Sequence, residues 1–221
     1  MWTGTENQIE KQAEKQADQQ IELVLIRHGA TKSNLEHRYL GKTDESLCEK
    51  GIEKLKVYKE AGYYPELDLI FTSPMKRCVE TAGILYPSIE SIKIPGFEET
   101  NFGEFEGKNY QELNGNPKYQ EWIDSMGKIP FPGGESREEF IDRCRSGFET
   151  VTKKLLDESV ANTKQIRVGL IVHGGTIMAL LHSYSDGEYF DYQVSLGEGY
   201  ICSLKVEDKK IQLQNVHKLV C

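Results

Sequence analysis

Short apolar runs that stop abruptly on polar residues dominate the pattern of this chain. The first covers residues 21–26, five of them apolar, and ends at Arg27-His28-Gly29. A run of that length, with apolar side chains for two buried faces, predicts a strand of a parallel sheet. Residues 67–72 predict a second strand, ending at Ser73-Pro74, and residues 166–172 a third, ending at His173-Gly174-Gly175. Residues 89–94 carry a weaker strand signal closed by Pro95-Gly96.

Helical spacing fills the gaps. Ser46-Leu-Cys-Glu49 and Ser136-Arg-Glu-Glu139 match the capping-box pattern and predict two helix starts. Ile52, Leu55 and Tyr58 follow the first on one face, with Gly62 as the stop. Phe140, Ile141, Cys144, Phe148, Val151 and Leu155 follow the second as its inward face. Further helices are expected over 75–85, with Arg77 in the first turn, and over 176–184. Residues 31–44 read as an irregular loop. Residues 200–206 and 210–216, joined through Glu207-Asp208-Lys209, predict a closing hairpin. The alternation implies an α/β fold of three layers, α/β/α, with a mostly parallel sheet.

Two stretches break the rhythm. Residues 1–20 are almost wholly polar and read as a solvated tail, although Ile9, Ala13 and Ala17 recur at helical spacing. Residues 98–135 are punctuated by glycine and hold Phe102, Phe105, Tyr110, Tyr119, Trp122 and Phe131. They read as an excursion with short helices, placed to cover a substrate beside the sheet. The rest, 21–221, is expected to be a single domain, because a chain of 221 residues with 38% hydrophobic content can bury one good core.

Composition narrows the function. A net charge of −8 argues against nucleic acid as a partner. No run nears the ~20 apolar residues of a membrane span, and no signal-peptide pattern precedes the first strand. The five cysteines form no Cys-x-x-Cys pair, as expected of thiols in a reducing, cytoplasmic compartment.

If the sheet is parallel, the three loaded strand ends share one edge, and Arg27, Arg77, His28 and His173 converge there. Two guanidiniums suit a phosphoryl group, and the backbone N–H groups of Gly174 and Gly175, opening a helix, add an anion site. Neighbouring guanidiniums would also keep His28 neutral and nucleophilic. A phosphohistidine needs a proton for the leaving oxygen, and Glu98, Glu99, Glu104 and Glu106 cluster after the weak strand. A metal site is disfavoured by the two Arg and by the lack of His-Glu-x-x-His. No P-loop, no Asp-x-Asp and no cysteine followed six residues later by Arg is present. His37, His182 and His217 read as surface or packing residues, and Cys78 as a buried helix residue.

Leu25-Ile-Arg-His-Gly-Ala-Thr31, the Ser-Pro-x-x-Arg-x-x-x-Thr-Ala stretch from Ser73 to Ala82, and Val172-His-Gly-Gly175 resemble the histidine phosphatase superfamily in its phosphoglycerate-mutase-like branch. The resemblance implies that fold, a metal-independent phosphatase acting through a phosphohistidine, no cofactor, and a small phosphorylated substrate. By it, His28 is the nucleophile, Arg27, Arg77 and His173 complete the phosphate pocket, and Asn34 is a further polar contact. Glu99 matches the acid, with Glu98 an adjacent rival. A phosphoglycerate mutase or broad-specificity sugar phosphatase is the alternative, and the short span between Glu99 and His173, with little material for a lid, favours hydrolysis. Residues 100–107 and 131–136 are similar to the corresponding stretches of bacterial alpha-ribazole phosphatases, which implies alpha-ribazole 5′-phosphate as substrate, its flat base stacked on Tyr110, Tyr119 or Trp122.

Overall fold

The computed structural model describes residues 20–156, 165–208 and 210–219. The elements run β1 (Gln20–Arg27), α1 (Lys32–Leu35), α2 (Glu49–Glu60), β2 (Leu69–Thr72), α3 (Lys76–Leu85), β3 (Ser91–Lys93), α4 (Pro117–Asp124), α5 (Arg137–Leu155), β4 (Gln165–Val172), α6 (Gly174–Tyr184), β5 (Gly199–Glu207) and β6 (Lys210–Lys218). Six strands form one sheet in the order β3-β2-β4-β1-β5-β6. The first four are parallel, and the expected hairpin adds β5 and β6 antiparallel beside β1.

Alternation along the central strands makes the three layers. Leu23 and Leu25 turn to one face and meet Phe140, Phe148, Ile177 and Leu181 of α5 and α6. Val24 and Ile26 turn to the other and meet Leu55, Cys78 and Ala82 of α2 and α3. Burying both faces of β1 and β4 explains why their sequences are continuous apolar runs rather than alternating ones.

Three details differ from expectation. Gln20 already belongs to β1, so the tail stops one residue earlier, and its Ile9, Ala13 and Ala17 spacing lies outside the described residues. The Ser136 capping box forms, Ser136 Oγ accepting from the Glu139 amide at 3.1 Å and Glu139 Oε2 from the Ser136 amide at 2.8 Å. The Ser46 box does not: α2 starts from Cys48 with no side-chain cap. Tertiary contacts claim that segment instead, because Leu47 bridges to Thr31, the Leu47 amide donates to Glu80 and the Cys48 amide donates to the Ala30 carbonyl. The loop after β1 also contains α1, whose N-cap Thr31 exchanges capping bonds with Asn34.

The excursion builds a small core of its own. Tyr39, Phe102, Phe105, Tyr119, Trp122 and Phe131 pack ring against ring, with Phe105 fully buried. Asn116 caps α4 beneath it. Among the described residues no helix is long and apolar enough to cross a membrane.

Candidate active site

Strand register brings the two histidines together. β1 and β4 pair in parallel up to Arg27 opposite Val172, so His28 and His173 are the next residues out on neighbouring strands. Their rings meet edge-on, centroids 5.2 Å apart, and both are almost wholly buried. Thr72 lies opposite Ile171 on the far side of β4, which sets Ser73 against His173 with Oγ 2.8 Å from Nε2.

The His28 ring is held in one tautomer. Its Nδ1 lies 2.7 Å from the Gly29 carbonyl oxygen, which can only accept, so Nδ1 carries the proton. The lone pair of the neutral ring is then on Nε2. Burial and the cations of Arg77 and Arg27 hold the His28 pKa well below its ordinary value. Burial, then His28 and the same cations, do likewise for His173. Ser73 Oγ accepts the Met75 amide at 3.3 Å. His173 Nε2 shares a hydrogen bond with that hydroxyl, and its Nδ1 faces Glu99.

Both guanidiniums are anchored at one end and uncommitted at the other. Arg77 is fully buried and donates to the carbonyls of Thr43 and Gly41 at 3.0 Å each. Arg27 donates through Nη1 to the Val194 carbonyl at 2.8 Å. The Nε of each is buried without a partner among the described residues. Unpaired buried donors are costly and rare. Two of them beside one imidazole are the mark of a site that expects an anion.

Glu99 brings a carboxyl to this edge. Its Oε2 is 3.7 Å from His173 Nδ1, and its Oε1 accepts the Thr100 amide at 2.9 Å. Burial raises its pKa against the opposing pull of that amide and of both arginines. Glycine at the start of α6 makes room: a Cβ on Gly175 would sit 3.0 Å from Glu99 Oε1, and one on Gly174 3.2 Å from Arg27 Nε. Glu98 is exposed. Glu104 pairs with exposed Lys118. Glu106 instead accepts the amides of Gly41 and Thr43, ordering the loop whose carbonyls grip Arg77.

Comparison with known proteins now decides the family. The model of the histidine phosphatase superfamily (branch 1) matches residues 23–218. The chain belongs to that superfamily. Among relatives, an uncharacterized phosphatase PhoE of Bacillus subtilis is 31% identical over 169 residues, covering 74% of this chain and 77% of that protein. A 2,3-bisphosphoglycerate-dependent phosphoglycerate mutase 2 of Lactiplantibacillus plantarum is 26% identical, covering 90% of this chain and 98% of its own length. The crystal structure of the alpha-ribazole phosphatase from Shigella flexneri superposes with a TM-score of 0.70 at 20% identity, covering 87% of this chain and 94% of that one. That last likeness speaks for the fold alone.

In this member of the superfamily, Arg27, His28, Arg77, Glu99, His173 and Gly174 meet at one edge. Asn34 lies slightly apart. Its carboxamide oxygen accepts the Thr31 amide, and it lines an open cavity of about 440 Å³ with Arg27, His37, Arg38 and Tyr39. His37 thus borders the site, which the sequence did not suggest, although His182 and His217 stay away from it. Cys78 is buried, its sulfur 3.7 Å from His173 Nε2, and burial pushes its thiol pKa up.

A second cavity, about 250 Å³, opens from Glu99 and Gly175 and is walled by Tyr39, Phe102, Trp122, Phe131, Phe140, Tyr189 and Phe190. Of the aromatics expected to stack on a base, only Trp122 lines it. Tyr119 stacks behind Trp122, and Tyr110 is 59% exposed elsewhere. Arg143 was also unforeseen. It donates to the carbonyls of Gly96, Glu98 and Glu99 and pairs with Glu135 at 2.7 Å, while Glu135 accepts the Asn101 amide at 2.7 Å. The pair grips the backbone on both sides of Glu99. Among the described residues no group of three or more His, Cys, Asp or Glu side chains could hold a metal.

Proposed function

We propose that this protein hydrolyses small phosphate monoesters through a phosphohistidine at His28. The observation that carries the reading is the neutral His28 ring, with Nδ1–H given to the Gly29 carbonyl, beside two buried guanidinium Nε groups that lack partners among the described residues. A phosphoryl group at that spot accepts from Arg27, Arg77 and the Gly174 amide, while Nε2 attacks phosphorus and the bond to the ester oxygen breaks. Glu99, its pKa raised by burial, gives its proton to that oxygen. The ring becomes cationic as the P–N bond forms, which strengthens the Nδ1–H bond to Gly29. Water then attacks the phosphohistidine, Glu99 takes the water's proton, and inorganic phosphate leaves. The cations of the protein supply the charge stabilisation, so the reaction runs without a metal.

For the substrate we propose alpha-ribazole 5′-phosphate. The aromatic cavity starts at the carboxyl that protonates the leaving oxygen, and a flat base stacked there on Trp122 gains about 1–3 kcal/mol. The test is kcat/KM, with and without EDTA, for this ester against 3-phosphoglycerate and fructose phosphates. A preference above about tenfold that EDTA leaves intact is expected. A smaller preference leaves a general phosphatase, and isomerised phosphoglycerate in place of free phosphate makes the protein a mutase.

A further inference from the structure

One cation near the site has no part in phosphate binding. Arg137 lines the aromatic cavity and lies 5.8 Å above the rings of both Tyr189 and Phe190, with no ion pair or hydrogen bond to its guanidinium among the described residues. It is the first residue of α5, where the positive end of the helix dipole disfavours a cation. Its neighbours Glu138 and Glu139 are the charge that such a position prefers. Trp122 lines the same cavity, and its indole Nε1 is buried without a partner among the described residues. A pocket walled mostly by apolar groups, besides Glu99 and Thr100, thus holds one uncommitted charged donor. Phe190 and Met126, 56% and 69% exposed, line it too and leave it an apolar entrance.

We infer that the cavity beside Glu99 selects phosphate esters whose leaving alcohol carries a flat aromatic ring with a hydrogen-bond acceptor or anionic group on its far edge, read by Arg137. This rests on the phosphatase reading above and makes Arg137 a specificity-determining residue. The ester oxygen lies at the Glu99 end, the ring packs among Phe102, Trp122 and Phe131, and the acceptor meets the guanidinium that stacks on Tyr189 and Phe190. A site built to donate to an acceptor discriminates against a ligand that lacks one, because its half-buried donor then loses water and gains no partner.

Benzyl phosphate and 4-carboxybenzyl phosphate test this as a pair. The expected ratio of kcat/KM favours the carboxylate by about tenfold or more, falls below about twofold in Arg137→Gln, and is partly kept in Arg137→Lys. The protein's net charge of −8 works against any general attraction of the extra anion. A ratio below about twofold in the unaltered protein, or one that survives Arg137→Gln, overturns the inference while the phosphatase reading stands. Hydrolysis of neither ester overturns that reading, and this inference with it.

Discussion

The two ends of the site are held by different means. At the proposed phosphate end, Arg27, His28, Ser73 and His173 stand at the tips of β1, β2 and β4, and the register of a buried parallel ladder sets their spacing. At the proposed leaving-group end, Glu99 sits on an irregular segment between two short 3₁₀ turns, and side chains hold its backbone. A ladder does not shift when one side chain is changed, so substitutions at the phosphate end remove chemistry in place. A loop tied by an Arg–Glu pair moves when a tie is cut. The leaving-group end is therefore the end that can be retuned from a distance.

The largest effect belongs to the ladder. His28→Ala removes the proposed nucleophile and is expected to lower turnover about 10⁴-fold or more while the protein stays folded. Enzyme labelled with radioactive phosphate during turnover should carry an acid-labile, alkali-stable P–N bond that the variant lacks. Label that persists in the variant moves the nucleophile elsewhere.

Glu99→Gln comes next. Loss of a general acid costs about 10²–10⁴ in rate, and only where the leaving oxygen needs a proton. In kcat/KM, which reads the phosphorylation step and not the later attack of water, alkyl phosphates should suffer that loss, while p-nitrophenyl phosphate should fall about tenfold or less. Equal losses on both substrates would mean that Glu99 is structural.

Cutting the tie should give a weaker copy of the same signature. Arg143→Gln or Glu135→Gln frees the backbone around Glu99, and Glu135→Gln does so while keeping the Arg143 charge that His173 feels. Such a misplacement is expected to cost about 10²-fold at most on alkyl phosphates and little on p-nitrophenyl phosphate. If both substrates slow together, the pair supports the fold rather than the acid, and the contrast between the two ends fails.

The same contrast governs what could be read from the sequence. Arg27, His28 and His173 were legible because an apolar run that stops on a polar residue marks a strand tip, and parallel strands share an edge. Arg77 followed from a helix that opens just after such a tip. Glu99 was separable from Glu98 only by resemblance, yet a local signal exists. Phe97 closes a 3₁₀ turn fully buried, and the extended Glu98 that follows it is exposed, which turns Glu99 back inward. Arg143 and Arg137 could not be found this way, since their roles depend on how α5 packs against loops far away in sequence. The unformed Ser46 box has the same cause: Glu80 and Ala30, which claim Leu47 and Cys48, are tertiary neighbours that no local pattern reveals.

The smallest effect compares the two ends by their protons. His28 and His173 are folded with pKa values well below 6.5, so the unfolded chain takes up protons first as pH falls. Their contribution to stability is full above about pH 6.5 and is lost below it, at up to about 1.4 kcal/mol per pH unit for each ring. Glu99 has the opposite sign. Its folded pKa is raised above 4.5, so what it contributes is present at low pH and lost as pH rises through that raised value. Denaturant midpoints between about pH 5 and 7.5 separate the two. His28→Asn should flatten the acid-side slope by about one proton, and Glu99→Gln should raise stability at the neutral end. An unchanged slope in the first, or a loss at pH 7.5 in the second, would mean that these groups are not folded in the protonation states the mechanism needs.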